Sequence, residues 1–156
     1  MACNDLLSQL GARALRTRWF VRAPILLYRA GLGPMFGSRL LMLEHIGRRS
    51  GIRRYVVLEV VEHPGPDEYI IVSGFGEHAQ WFQNICARPQ VRIWCGLRRG
   101  APATAERMTP AQSSAAIERY AEHYPRTWRR LRPSIERASG QPVETLPMIR
   151  IRTDRH

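Results

Sequence analysis

At 156 residues the chain is long enough for one domain with a real core, and a hydrophobic fraction of 44% excludes wholesale disorder. The net charge is +11, with all 24 basic residues arginine, which points to a polyanionic partner: a phosphorylated cofactor, an anionic membrane surface or nucleic acid. No apolar run approaches the roughly 20 residues of a membrane span. Cys3, Cys86 and Cys95 form no C-x-x-C pair and are odd in number. With no long apolar signal segment in the first fifteen residues, a reducing cytosol with free thiols is the expected setting. A Cys86–Cys95 bridge is the alternative.

Residues 5–22 read as an amphipathic helix, with Leu6, Leu7, Leu10 and Ala14 on one face and Arg13, Arg16 and Arg18 largely outside it. Pro24 breaks or kinks it, and residues 25–28 form a short apolar turn before Gly31-Leu32-Gly33-Pro34. Arginines interleaved with Trp19, Phe20, Leu26 and Tyr28 fit two readings: a helix lying on an anionic membrane, or one docked on its own barrel.

Residues 40–46 and 55–61 read as two strands flanking a polar turn that holds Gly47, Arg48, Arg49, Ser50, Gly51, Arg53 and Arg54. Four arginines and a serine on a glycine-bounded tip suit an anion. Arginine offers a planar fork of donors, and Ser50 and Gly51 let backbone N–H groups approach the same charge. The plain alternative is a solvated basic hairpin tip.

Residues 63–67 (HPGPD) read as a loop, being rich in breakers, and residues 68–73 as a strand returning on 55–61. Gly74-Phe75-Gly76 ends that strand, and residues 77–87 read as a helix with Trp81, Phe82 and Ile85 inward. A strand running through glycines into a helix leaves free N–H groups at the helix start, although a plain connection is the alternative. Pro89 stops the helix; strands follow at 91–95 and 101–107, joined by a turn over 96–100. Thr109-Pro110 starts a helix running to Tyr124, with Ala116, Ile117, Tyr120, Ala121 and Tyr124 as its stripe. A basic helix from Pro125 closes at Gly140, and residues 147–152 supply a last alternating strand. About six strands, mostly antiparallel and with helices inserted between them, argue for an α+β fold whose sheet closes into a barrel.

The five histidines are scattered, no G-x-S-x-G elbow is present, and neither glycine turn holds paired carboxylates. Two anion-friendly turns without such groups invite a cofactor that brings its own chemistry. The order His45-Ile46-Gly47-Arg48-Arg49-Ser50-Gly51, then Trp81-Phe82-Gln83-Asn84-Ile85 and Ala87-Arg88-Pro89-Gln90-Val91, resembles the deazaflavin-dependent nitroreductase family. These are small actinobacterial split β-barrel proteins, FMN-binding-like in fold, that bind the deazaflavin coenzyme F-420.

The resemblance implies a coenzyme F-420-dependent oxidoreductase that passes hydride from the reduced deazaflavin to a hydrophobic quinone-like, enone or nitroaromatic acceptor. It assigns the coenzyme's phosphate and acidic tail to Arg48, Arg49, Ser50, Gly51 and Arg54, and the ring to Ser73, Gly74, Phe75, Trp81 and Asn84. Tyr124 becomes the candidate for positioning the substrate or donating a proton; a tyrosine packed on the core before Pro125 is the other reading. The glycine turn is shorter than in the best-known member, and Thr127 and Trp128 stand where that member has tyrosines, so acceptor preference does not transfer. Alternatives are an FMN-dependent split-barrel reductase and a non-catalytic basic protein on anionic lipid or nucleic acid. The expected organisation is one domain, 1–156, with a helical segment over 1–34 and the barrel over 35–156. A cytoplasmic protein is expected, peripheral on the inner face of the cell membrane if the first helix lies there, with homodimerisation a base-rate expectation and no nucleic-acid partner.

Overall fold

The computed structural model describes residue 37 and residues 39–154; the helix expected over 5–22, the turn at 25–28, Cys3 and His156 lie outside the described residues. Six strands, β1 (Leu40–Ile46), β2 (Arg53–Gly65), β3 (Glu68–Val72), β4 (Gln90–Cys95), β5 (Arg98–Arg107) and β6 (Met148–Thr153), carry the fold. They close in the order β1-β2-β3-β6-β5-β4, every neighbouring pair antiparallel. Closure leaves no open sheet edge, the outcome expected for so small a sheet. Among the described residues three α-helices accompany the barrel: α1 (Gln80–Ala87), α2 (Pro110–His123) and α3 (Pro125–Ser139).

Alternation along the strands builds two cores. Leu41 and Leu43, Tyr69 and Ile71, Val91 and Ile93, Ala103 and Ala105, and Ile149 and Ile151 point inward, and α1 adds Phe82 and Ile85 to them. The outward residues Ile70 and Met148 instead meet Met108, Ala116, Ile117 and Trp128, which seats α2 and α3 on the outside of β3 and β6. Thr109 and Gln112 start α2 with a reciprocal capping box, and Gly140 (φ +67°) ends α3 in the left-handed conformation.

The structure corrects four local expectations. Residues 63–65 are strand rather than loop: β2 runs on through His63, Pro64 and Gly65. Its pairing with β3 shifts register twice, at Val60/Glu62 and Glu62/Gly65, and at such bulges a proline's missing N–H breaks no ladder bond. The helix expected from residue 77 begins at Gln80, because Ala79 is extended (ψ 128°) and separates a single 3-10 turn, Gly76–His78, from α1. Within α1 it is Phe82 and Asn84, not Trp81, that join Ile85 in full burial. In α2 the buried stripe is Ser113, Ala116 and Ile117, while Tyr124 at its end is 52% exposed.

Candidate functional site

The Gly47 turn closes on its own backbone. Gly47 N–H donates to Ile52 O (2.9 Å) and Gly51 N–H to Gly47 O (2.8 Å), with Gly51 at φ +68°, where an L side chain is strained. Ser50 Oγ accepts from Ile52 N–H at 3.3 Å, a serine turn that fixes the tip. Gly47 is required for space: a Cβ there would sit 2.4 Å from Ser50 Oγ and 3.2 Å from Arg54 Nε.

Strand register then sorts the arginines. Directly opposed residues share a face, so Arg54, opposite His45, lies on the inward face with Leu43 and Val56. Arg53, opposite Ile46, lies on the outward face, 3.9 Å from the buried carboxylate of Glu44, which also accepts from Tyr55 OH at 2.8 Å. Arg49 is exposed, and neither Arg49 nor Arg54 has a carboxylate partner among the described residues.

Arg48 ties this turn to α1. Its main-chain N–H donates to Asn84 Oδ1 (3.1 Å), and its Nη1 donates to Asn84 Oδ1 (2.9 Å) and Gln80 Oε1 (3.1 Å). Asn84 is buried, and its Nδ2 lies 3.2 Å from His45 Nδ1. Burial, helped by the Arg54 charge, holds the His45 imidazole well below its ordinary 6.5, at about 4, so the ring is neutral at physiological pH.

Beside this bracket lies an open cleft of about 540 Å³, walled by His45 from β1, Arg54, Tyr55 and Val56 from β2, Phe75, His78 and Ala79 from the glycine turn, and Gln80 and Trp81 from α1. Its volume falls in the roughly 300–1,000 Å³ of small-molecule sites. Of the residues proposed from sequence, Arg54, Phe75 and Trp81 meet in this cleft; Arg48 and Asn84 form the bracket behind it. Arg49, Ser50 and Gly51 stand on the exposed tip. Ser73 is fully buried and its hydroxyl donates to Gly76 O at 2.6 Å, so it ties the glycine turn together instead of facing the cleft. Gly74 is half-buried beside it.

Tyr124 is not brought to this cleft. With Pro125 opening α3 immediately after it, Tyr124 stacks beside Tyr120 (5.2 Å between ring centres) over a second cleft of about 610 Å³. Arg39, Glu59, Glu62, Arg119 and His123 are among its walls, and it shares no lining residue with the first. Sequence reasoning missed His45 and Gln80 as cleft residues. The signal for His45 was its place one residue before the turn's strand end, opposite Arg54 in the hairpin.

The thiols of Cys86 and Cys95 are free, and burial pushes Cys95 up to about 11. Among the described residues no three His, Cys, Asp or Glu side chains gather as metal ligands, and no helix is long and apolar enough to cross a membrane.

The fold and this cleft define a split β-barrel protein with a basic turn locked beside an aromatic pocket. The F420H(2)-dependent quinone reductase family matches residues 27–138, and the chain belongs to that family, whose members are deazaflavin-dependent oxidoreductases. Among solved structures, an F420-H2 dependent reductase (FDR-A) is similar at TM-score 0.53 and 22% identity, covering 72% of this chain and 93% of its own. A structure described as a domain-swapped dimer matches at TM-score 0.54 and 20% identity, covering 82% and 98%. A Listeria innocua protein named after pyridoxamine 5′-phosphate oxidase matches at TM-score 0.52 and 10% identity, covering 83% and 94%. At these identities the likenesses establish the split-barrel fold. No curated protein matches the chain.

Proposed function

We propose that this chain is a coenzyme F-420-dependent reductase that seats the deazaflavin ring in the Arg54–Trp81 cleft and the phosphate-bearing tail on the Gly47–Arg54 turn. The acceptor is a hydrophobic quinone-like, enone or nitroaromatic compound. The observation that carries the reading is the Arg48 bracket: one side chain joins the basic turn to the first turn of α1, beside Trp81. That fastening supports a turn built for a ligand over a loose solvated tip.

The residues present fit such a ligand. Arg49 and Arg54 lack carboxylate partners among the described residues, so a phosphate or carboxylate would supply the missing counter-charge. The N–H groups of Gly47, Arg48, Gly51 and Ile52 are taken within the fold, so the guanidinium groups rather than the backbone of the bend would carry that anion. Phe75 is 48% exposed and Trp81 half-buried, so a flat ring laid on them removes apolar surface from water. The bound coenzyme supplies the hydride. The chain's part is to fix the ring's plane against Trp81, neutralise the tail, and keep water from the face where the acceptor lies. FMN remains the competing coenzyme, since a flat ring with a phosphate meets the same donors. We place the protein in the cytoplasm as one domain, with the segment before residue 35 as the part that contacts an anionic membrane surface.

Titration of the purified protein with oxidised F-420, followed by absorbance, tests the reading. Saturable binding, with turnover of a quinone, nitroaromatic or enone panel by the reduced coenzyme, is expected. Tightly retained yellow flavin with no response to the deazaflavin would overturn it in favour of FMN.

A further inference from the structure

We propose that His45 is a ligand-binding residue of the cleft, a fixed Nε2–H donor aimed at a carbonyl oxygen on the edge of the bound ring, with Asn84 as the residue that sets it. The inference rests on the cleft being the ring site and adds a contact which that reading does not require.

The geometry begins in the basic turn. Two donors of Arg48, its main-chain N–H and its Nη1, converge on one oxygen of Asn84, at 3.1 and 2.9 Å. That convergence settles which end of the amide is oxygen, because an NH₂ group placed there would face two donors. Nδ2 is therefore the end beside His45, 3.2 Å from Nδ1. An amide NH₂ only donates, so Nδ1 must accept, and a neutral imidazole with an accepting Nδ1 carries its proton on Nε2. Burial keeps the ring neutral, so the tautomer is single.

The register sets His45 opposite Arg54 on the inward face, and both line the cleft with Phe75 and Trp81. One wall thus offers two donor side chains. Among the described residues Arg54 has no carboxylate partner, and the only polar partner of the imidazole is on its far nitrogen. The chemistry that satisfies the His45 donor, beside the Arg54 cation that meets the tail, is an oxygen with partial negative charge. The carbonyl-bearing edge of a deazaflavin provides one, and so does a quinone acceptor; we assign the contact to the coenzyme.

The test is coenzyme titration without any acceptor, on wild type, His45→Leu and His45→Gln. Leucine should weaken binding about tenfold, the effect of one lost buried hydrogen bond. Glutamine, which keeps an N–H donor, should recover most of that loss. Imidazole nitrogen NMR gives a readout free of activity: the free protein should show Nε2 protonated at pH 7, and the Nε2 resonance should move on adding oxidised F-420. Unchanged affinity in a folded His45→Leu variant, an Nδ1-protonated ring, or an Nε2 signal that the coenzyme leaves still would each overturn the inference. If His45→Leu binds coenzyme normally but loses affinity for the quinone alone, the carbonyl is the acceptor's and the assignment fails. Wild type that binds no deazaflavin at all would instead remove the underlying reading of the cleft.

Discussion

The barrel carries arginines at both ends and uses them in opposite ways. At the end where β2 meets β3, Asp67 pairs with Arg98, and Glu68 lies 2.7 Å from Arg150 Nε and 3.8 Å from Arg152 Nη2. Arg152 also reaches Glu106 at 3.2 Å, and Arg98 Nη2 donates to Pro66 O at 3.0 Å. Those guanidinium groups are matched by carboxylates and fasten strands. At the end where β1 turns into β2, Arg53 lies 3.9 Å from Glu44, but Arg48 donates to two neutral amides, and Arg49 and Arg54 meet no carboxylate among the described residues. Net charge alone, +11 in this chain, does not distinguish these ends. What marks a site is positive charge that the fold leaves without a counter-charge next to a flat apolar wall.

The sharpest way to break that comparison is to remove arginines from each end in turn. Arg48→Ala with Arg49→Ala should lower F-420 affinity by about 100-fold or more, two charge-assisted contacts at roughly 1.5–3 kcal/mol each. Arg150→Ala with Arg152→Ala should leave it within about twofold. Arg48 also braces α1, so Arg49→Ala alone serves as the variant that keeps the bracket, with about tenfold expected. The measurement is absorbance titration at one fixed ionic strength, since exposed charges are screened by salt. Equal losses at the two ends would reduce the effect to general charge.

Next in size is a pH effect confined to the turn end. The His45 pKa is depressed from 6.5 to about 4 by burial first and the Arg54 charge second. The unfolded chain therefore binds a proton that the folded one refuses. That contribution to stability is fully present above pH 6.5 and is lost as pH falls towards 4, up to about 3 kcal/mol. Denaturant melts of wild type between pH 7.5 and 4.5 should show this slope, and His45→Gln should flatten it. A slope unchanged in the variant would mean that other groups carry it.

Gly47→Ala is smaller. Its Cβ would displace Ser50 Oγ, 2.4 Å away, from the Ile52 N–H and crowd Arg54 Nε, 3.2 Å away. A loss of about 1 kcal/mol in stability is expected, about the value of one hydrogen bond. Coenzyme affinity should fall by roughly five- to tenfold, through the misplaced Arg54. Thermal melts and the same titration separate the two effects.

Much of this fold is legible in the amino-acid sequence alone. The alternation in Met148–Thr153, the Thr109-Pro110 start and the glycine-bounded arginine turn are local signals, and each produces its element. The features that escape such reading are set by partners far along the chain. Pro64 and Gly65 look like loop until Gly65 pairs with Glu68 of β3 beyond two bulges. The resemblance assigns Asn84 to the ring, and its two-sided contact with Arg48 and His45, across 36 and 39 residues, is not legible in the sequence. Trp81 and Phe82 are adjacent on the same helix, and only the direction of the barrel decides that Phe82 enters the core while Trp81 faces the cleft. Whether Arg53 or Arg54 turns inward is likewise a matter of register, invisible in the pair itself.

The smallest expected effect belongs to Tyr124, and the reason is distance along β2. Val56 walls the first cleft and Glu59 the second, three residues apart on one strand, or about 10 Å at the rise of a strand. Direct proton donation needs hydrogen-bond reach, about 2.6–3.2 Å, and Tyr124 lines a cleft that shares no wall residue with the one holding Trp81. Tyr124 is also 52% exposed, and its neighbour Tyr120 already engages Glu59 at 3.1 Å, so the wall survives without the Tyr124 hydroxyl. Tyr124→Phe should therefore change kcat and coenzyme Kd by about twofold or less, well under one hydrogen bond's tenfold. Steady-state kinetics with a quinone series decides it. A tenfold fall in kcat/KM that grows with the acceptor's length, at unchanged coenzyme affinity, would mean that long acceptors stretch from one cleft to the other along β2.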